Sequence, residues 1–251
     1  MKPGNRITYI ANAGVLVDIG QTKYVIDGLC KSIMPIYKDT PDVYRERLIN
    51  GLRPFNNIDI MFYTHHHSDH YNVDNTEDFI KNNNSTMIVA TKKVKDSLKS
   101  IKEEMILDLD IPRGSHRDIN IGNVRVKILS MKHEGKEYED VQNYGYLIDV
   151  DGIKILHIGD ALATSENYAN IDLLNQDIDI LIVPFPYVGK PSSRQIIEKY
   201  IKPKKIIALH MPKEELDEGN WISITKRSLN RVKDTFIETI FFEKLGDSLD
   251  L

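Results

Sequence analysis

The sequence predicts an α+β fold, a sandwich of two mixed β-sheets with helices on the outer faces. Three observations carry this reading. The chain runs twice through the same order, a meander of short β-rich segments followed by apolar strands that alternate with helical segments. Asp151-Gly152 separates two apolar runs, which is a strong hairpin signal. The 251 residues, 41% hydrophobic and 28% charged, have ordinary globular composition. Nothing in the middle reads as a linker, so one domain spanning residues 1–251 is expected.

Taken in order, Arg6–Ile10, Gly14–Asp18 and Tyr24–Asp27 are short and rich in Val, Ile and Tyr, with turns at Asn12-Ala13-Gly14 and Gly20-Gln21-Thr22. Gly28 to Asn57 is a long connection with three prolines and one helical piece around Asp42–Leu52. Asp59–Tyr63 is nearly continuous in apolar residues, as a strand buried on both faces requires. Asp74–Asn82 then reads as helix, Thr86–Ala90 as strand and Lys92–Ser100 as a helix with a lysine-rich solvated face. A second meander is expected from Met105–Leu109, Ser115–Ile119 and Val124–Met131, continued by the hairpin Tyr144–Val150 and Lys154–Ile158. After it come strand Ile178–Phe185, helix Ser192–Ile201, strand Lys205–His210, helix Ile222–Phe236 and a final strand Ile237–Phe242. Strand-end loops of such a sandwich open on one side.

One of those loops is chemically conspicuous. Thr64-His65-His66-His67-Ser68-Asp69-His70 holds half of the eight histidines and directly follows the Asp59–Tyr63 strand. Buried imidazoles and carboxylates each need a polar partner, so the cluster is a poor packing element. Neutral imidazole and carboxylate are, however, the ligands that Zn²⁺ and similar cations take. In an extended segment side chains alternate, so His65 and His67 share one face while His66 points away. Asp69 and His70 come after the chain begins to turn, which suits a second ion about 3.5–4 Å from the first. Three more donors follow or end apolar strands at turns: His133, Asp160 and His210.

This set resembles the metallo-β-lactamase-fold hydrolase superfamily, whose signature is His-x-His-x-Asp-His followed by distal His, Asp and His. The resemblance covers essentially the whole chain and implies a four-layer αβ/βα sandwich. It implies two divalent metal ions, zinc foremost, with manganese or iron also used on this fold. His65, His67 and His133 would hold the first ion, Asp69, His70 and His210 the second, and Asp160 would bridge them. Asp27 would orient a ligand imidazole rather than bind metal. The bridging carboxylate is similar to the lactonase, glyoxalase and phosphodiesterase branches, whereas true di-zinc β-lactamases commonly carry cysteine there. Tyr9–Val17 looks closest to the small bacterial branch with ascorbate-6-phosphate lactonase and phospholipase-D-like members. That branch often has Gly-His or Gly-Gln where this chain has Ala11-Asn12. The implied function is hydrolysis of a lactone or ester bond of a small molecule by a hydroxide bridging two metals, with Asp69 orienting it or accepting its proton. A phosphodiesterase or nuclease, and a non-catalytic metal-binding module, are the alternatives.

Composition narrows the partners. A net charge of -4 provides no basic footprint for nucleic acid. The single cysteine, Cys30, permits no internal disulfide and reads as a small apolar filler. The amino terminus lacks a signal-peptide core and no apolar run reaches membrane-spanning length, so a cytoplasmic protein acting on a small molecule is expected, with a homo-oligomer left open. His66, His116 and His157 are expected to be structural, with His116 in a loop. Tyr37, Tyr71, Tyr187, Lys190 and Trp221 are the candidates for substrate contact near the mouth of the site.

Overall fold

A computed structural model describes residues 4–251 of the chain. The residues up to Asp110, joined by Glu243–Leu251, form one compact unit, and Ile111–Phe242 form another. Each unit is built around one mixed sheet, and the two sheets follow the same plan.

In the first unit, β1 (Arg6–Tyr9), β2 (Val15–Ile19) and β3 (Thr22–Ile26) form an antiparallel meander. The chain then crosses over through α1 (Asp42–Ile49) to lay β4 (Ile60–Phe62) parallel to β3. Helix α2 (Val73–Asn82) leads to β5 (Met87–Val89), parallel to β4, and α3 (Lys92–Ser97) follows. Ile60, Met61 and Phe62 are all fully buried, which accounts for a strand without polar alternation. Leu16, Val25 and Met61 pack with Leu48 of α1 and Phe79 and Ile80 of α2 in one apolar cluster. Each such side chain contributes about 1.5–3 kcal/mol on burial. Gly14 is required at the first turn, because a Cβ there would sit 2.6 Å from the Asp27 carbonyl oxygen.

In the second unit, β6 (His116–Ile121), β7 (Val124–Lys132), β8 (Gln142–Val150) and β9 (Ile153–His157) form the antiparallel part. Asp151 and Gly152 have φ of 52° and 85°, the positive values that a tight hairpin of this kind demands. Parallel strands β10 (Ile180–Pro184) and β11 (Lys205–Leu209) continue the sheet to β12 (Thr239–Phe241). Between them lie α4 (Ser165–Tyr168), α5 (Pro186–Gly189), α6 (Pro191–Tyr200) and α7 (Trp221–Asn230). Prolines start α5 and α6 where no backbone donor is needed, and the Asp217 carboxylate accepts from the Trp221 and Ile222 N–H groups to start α7. Leu156, Leu181, Val183, Ile197, Ile206 and Leu229 make the core between sheet and helices. No helix among the described residues is long and apolar enough to cross a membrane.

Three sequence expectations change. Met105–Leu109 is not a strand: a single 3₁₀ turn, Glu103–Met105, is followed by one isolated bridge from Ile106 to Ile88. The segment therefore meets β5, the outermost strand of its sheet, at that one bridge instead of forming a ladder. His116 opens edge strand β6 instead of lying in a loop, and it is exposed. The last residues add β13 (Ser248–Asp250), antiparallel to β1, which nothing in Ser-Leu-Asp signals.

Candidate metal centre

The topology puts the donors of each unit at one end of its sheet. In the first unit β1, β3 and β4 run in the same direction, so Asn12, Asp27 and the 64–70 loop all emerge together. In the second, β7, β9 and β11 share a direction, and His133, Asp160 and His210 follow their carboxyl ends. Such ends are where ligands bind open α/β sheets.

Within the first unit, hydrogen bonds fix which imidazole nitrogens can serve a metal. Asp27 is completely buried, and its Oδ1 accepts from the Thr64 N–H at 2.8 Å and its Oδ2 from the Thr64 hydroxyl at 2.6 Å. The same Oδ2 lies 2.8 Å from His70 Nδ1. A carboxylate only accepts, so His70 donates from Nδ1 and keeps its Nε2 lone pair. Thr64 Oγ1, its proton committed to Asp27, accepts in turn from His65 Nδ1 at 3.0 Å. His65 therefore also presents Nε2, which stands 3.0 Å from His67 Nδ1. Two nitrogens of neighbouring imidazoles brought this close fit one ion. His66 is half-buried, with its ring 5.2 Å from that of His67. The chain turns at His67, whose carbonyl accepts from the His70 and Tyr71 N–H groups. That turn swings Asp69 back, so that its Oδ2 is 3.7 Å from His70 Nε2 and accepts from Asn12 Nδ2 at 3.1 Å. Helix α2 starts immediately afterwards, with Asn72 capping it through the Asn75 N–H.

The second unit gathers its three donors around one carboxylate. Asp160 Oδ2 is 3.4 Å from His210 Nε2 and 3.8 Å from His133 Nε2. His133 Nδ1 donates to the Glu134 carbonyl at 2.5 Å, which leaves Nε2 as its ligand atom. His210 adopts φ of +61°, in the left-handed region that histidine enters more often than most residues. Asp27 does the same at φ +47°, which aspartate tolerates better.

Buried asparagines hold these loops. Asn143 accepts from the Asp160 N–H at 3.0 Å and donates to the Ile158 carbonyl at 2.9 Å. Asn167 brackets Lys132, the residue before His133, through both its N–H and its carbonyl. The Tyr187 hydroxyl donates to the Ala161 carbonyl and meets Tyr168 at 2.9 Å. Sequence reasoning did not single out Asn12, Thr64, Asn143 and Asn167 as residues that hold these loops; the signal available was a polar residue at or near a strand end. Asn143→Ala removes both bonds to the 158–160 turn, and metal affinity is expected to fall about 10–100-fold with the chain still folded. Competitive chelator titration with circular dichroism checks this; unchanged affinity would remove Asn143 from the support of the site.

Two of the five candidates for substrate contact are buried in packing. Tyr71 is buried and bonds Ser97, and Tyr187 is buried with its hydroxyl raised well above the usual tyrosine range by burial. Lys190 lies 3.4 Å from Glu134, Tyr37 is half-buried, and Trp221 is 52% exposed. His157 is buried at the end of β9, where its Nδ1 accepts from the Gly159 N–H. Cys30 is buried as expected of a filler, and burial pushes its thiol up to about 11.

Residues 6–210 match the β-lactamase superfamily domain. A UPF0173 metal-dependent hydrolase of Saccharolobus solfataricus is 22% identical over 234 residues, covering 88% of this chain and 92% of that one. The metallo-β-lactamase fold protein YhfI of Bacillus subtilis superposes with a TM-score of 0.64 at 13% identity, with both chains fully covered. The diiron β-hydroxylase CmlA of Streptomyces venezuelae gives 0.65 at 13% identity, and this chain spans 55% of its length. Two mixed sheets with helices, a superfamily match over most of the chain and these likenesses agree: the chain belongs to the β-lactamase superfamily and has the metallo-β-lactamase fold.

Proposed function

We propose that this protein is a metal-dependent hydrolase with a binuclear centre that cleaves a lactone or ester bond of a small molecule. The observation that carries the reading is the set of donor atoms left by the hydrogen bonds. Asp27, Thr64 and the Glu134 carbonyl occupy one nitrogen each of His70, His65 and His133 and leave the other for a cation. Imidazole and carboxylate donors without a thiolate suit zinc, manganese or iron. The first ion would be held by His65, His67 and His133 and the second by Asp69, His70 and His210, with Asp160 bridging. The relative from Saccharolobus solfataricus, described as a metal-dependent hydrolase, supports the class of activity.

Two divalent ions bound together lower the pKa of a coordinated water toward neutrality and polarise the oxygen of the bond to be cleaved. The protein's own residues then orient and move protons. Asp69, held through Oδ2 by the Asn12 amide, is the carboxylate that orients the attacking water and takes its proton. Asp27 keeps His70 in one tautomer throughout. No further acid is needed for the leaving oxygen.

Metal analysis of the purified protein, coupled to a panel of γ-lactones, carboxylic esters and bis-p-nitrophenyl phosphate, tests the reading. Two metal equivalents per chain are expected, with lactone or ester turnover exceeding phosphodiester turnover. Chelation should abolish activity and added zinc or manganese restore it. A preference for the phosphodiester would reassign the chain as a phosphodiesterase, and no turnover in any metal form would make it a binding module.

A further inference from the structure

The long connection after β3 holds a compact loop whose tip is oddly apolar. Its neck is closed by Thr40, whose Oγ1 accepts from the Cys30 N–H and donates to the Gly28 carbonyl, both at 2.9 Å. Inside the loop the Ser32 N–H donates to Asp39 Oδ1 at 2.7 Å, and the Tyr37 N–H donates to the Met34 carbonyl at 3.1 Å. A self-closed segment of this kind is a rigid Ω-loop. At its tip Ile33 is 84% exposed, Met34 is 53% exposed, and Pro35 beside them is also exposed. Three consecutive exposed apolar residues on an ordered loop have a use in recognition more often than in packing.

The loop is tied directly to the histidine motif. The Lys31 N–H donates to the Ser68 carbonyl at 2.9 Å, and the Ile33 N–H donates to Ser68 Oγ at 3.0 Å. Ser68 lies between His67 and Asp69, so the apolar tip begins one hydrogen bond away from two of the proposed ligands. Segment 32–37 carries no charge, and its exposed tip, Ile33-Met34-Pro35, has only apolar side chains.

We propose that Ile33 and Met34 form an apolar lip of the site, and that the substrate carries an alkyl or similar apolar chain that lies against them. The proposal rests on the hydrolase reading above and adds the chemical class of substrate: an ester or lactone with an apolar substituent of several carbons. Serine at both positions removes the lip without touching the Ser68 bonds, which use backbone N–H groups.

Calorimetric titration of the zinc-loaded protein with a butyl-to-decyl hydroxamate series tests this without requiring turnover. Full burial of a methylene is worth about a fourfold gain in affinity, and a lip covering one side should give about half that in logarithmic terms. The octyl compound should therefore bind about sixteenfold more tightly than the butyl compound. In Ile33→Ser/Met34→Ser, with metal content and circular dichroism matched, that ratio should collapse to within about twofold. An equal length dependence in both proteins, no length dependence in either, or no hydroxamate binding at all would overturn the lip. So would sedimentation of the wild type, but not the variant, with phosphatidylcholine vesicles, or a dimer lost in the variant, if the length dependence stayed the same. Parallel turnover assays keep the two readings apart, since length-dependent binding without hydrolysis would sink the hydrolase and leave the lip standing.

Discussion

Asp69→Ala is expected to lower kcat/KM by at least about a thousandfold, because it removes both a proton acceptor and a ligand of the second ion. Metal analysis should show the second equivalent lost and the first retained, since His65 and His67 do not depend on Asp69 for their orientation. The fold should survive, with a loss of about 1–3 kcal/mol from the Asn12 amide left facing nothing. Asp69→Asn separates the two roles. It keeps an oxygen near His70 but cannot take a proton, so metal content should recover more than turnover does. Full activity with two metals bound in Asp69→Ala would remove Asp69 from the mechanism.

Asp27→Ala should instead be chiefly a stability mutation. Three donors, the Thr64 N–H, the Thr64 hydroxyl and His70 Nδ1, converge on this fully buried carboxylate. Removing it strands them, at an expected loss of about 3–5 kcal/mol. Alanine also tolerates φ of +47° poorly, which adds to the loss. In urea the midpoint should fall by about 2 M at an ordinary m-value. Asp27→Asn keeps the left-handed backbone and one acceptor, so it should fold better yet bind metal about 10–100-fold more weakly as His70 loses its fixed tautomer. A variant as stable as the wild type with unchanged metal affinity would show that the Asp27 hub is idle.

Both predictions concern residues that the sequence displayed differently. His65, His67, Asp69 and His70 are legible because their spacing is local: alternation places His65 and His67 together, and the turn at Ser68 returns Asp69 and His70. His133, Asp160 and His210 are legible because each closes an apolar run, and strand ends are where such chemistry sits. Asn12 reads only as a turn residue, since its hydrogen bond to Asp69 spans 57 positions. Asn143 and Asn167 lie in segments that look like any strand or short helix, and their bonds cross 15 to 35 positions. Tyr71 and Tyr187 show the converse. Their positions in the chain suggest a site mouth, but packing turns both inward to hydrogen-bond partners that no local pattern encodes.

The same division runs through the fold. Periodicity, turn chemistry and block order determine two meanders, each followed by parallel strands and helices, because these depend on residues within a few positions of one another. Whether Ser248–Asp250 finds β1, and whether Ile33 and Met34 are covered, depends on the edges and surfaces that segments distant in the chain present. Local chemistry thus determined the donors and the strands that carry them. Neighbours in the chain, Thr64 and Glu134, hold Nδ1 of His65 and His133, but only tertiary structure brings Asp27 to Nδ1 of His70, because that bond spans 43 positions.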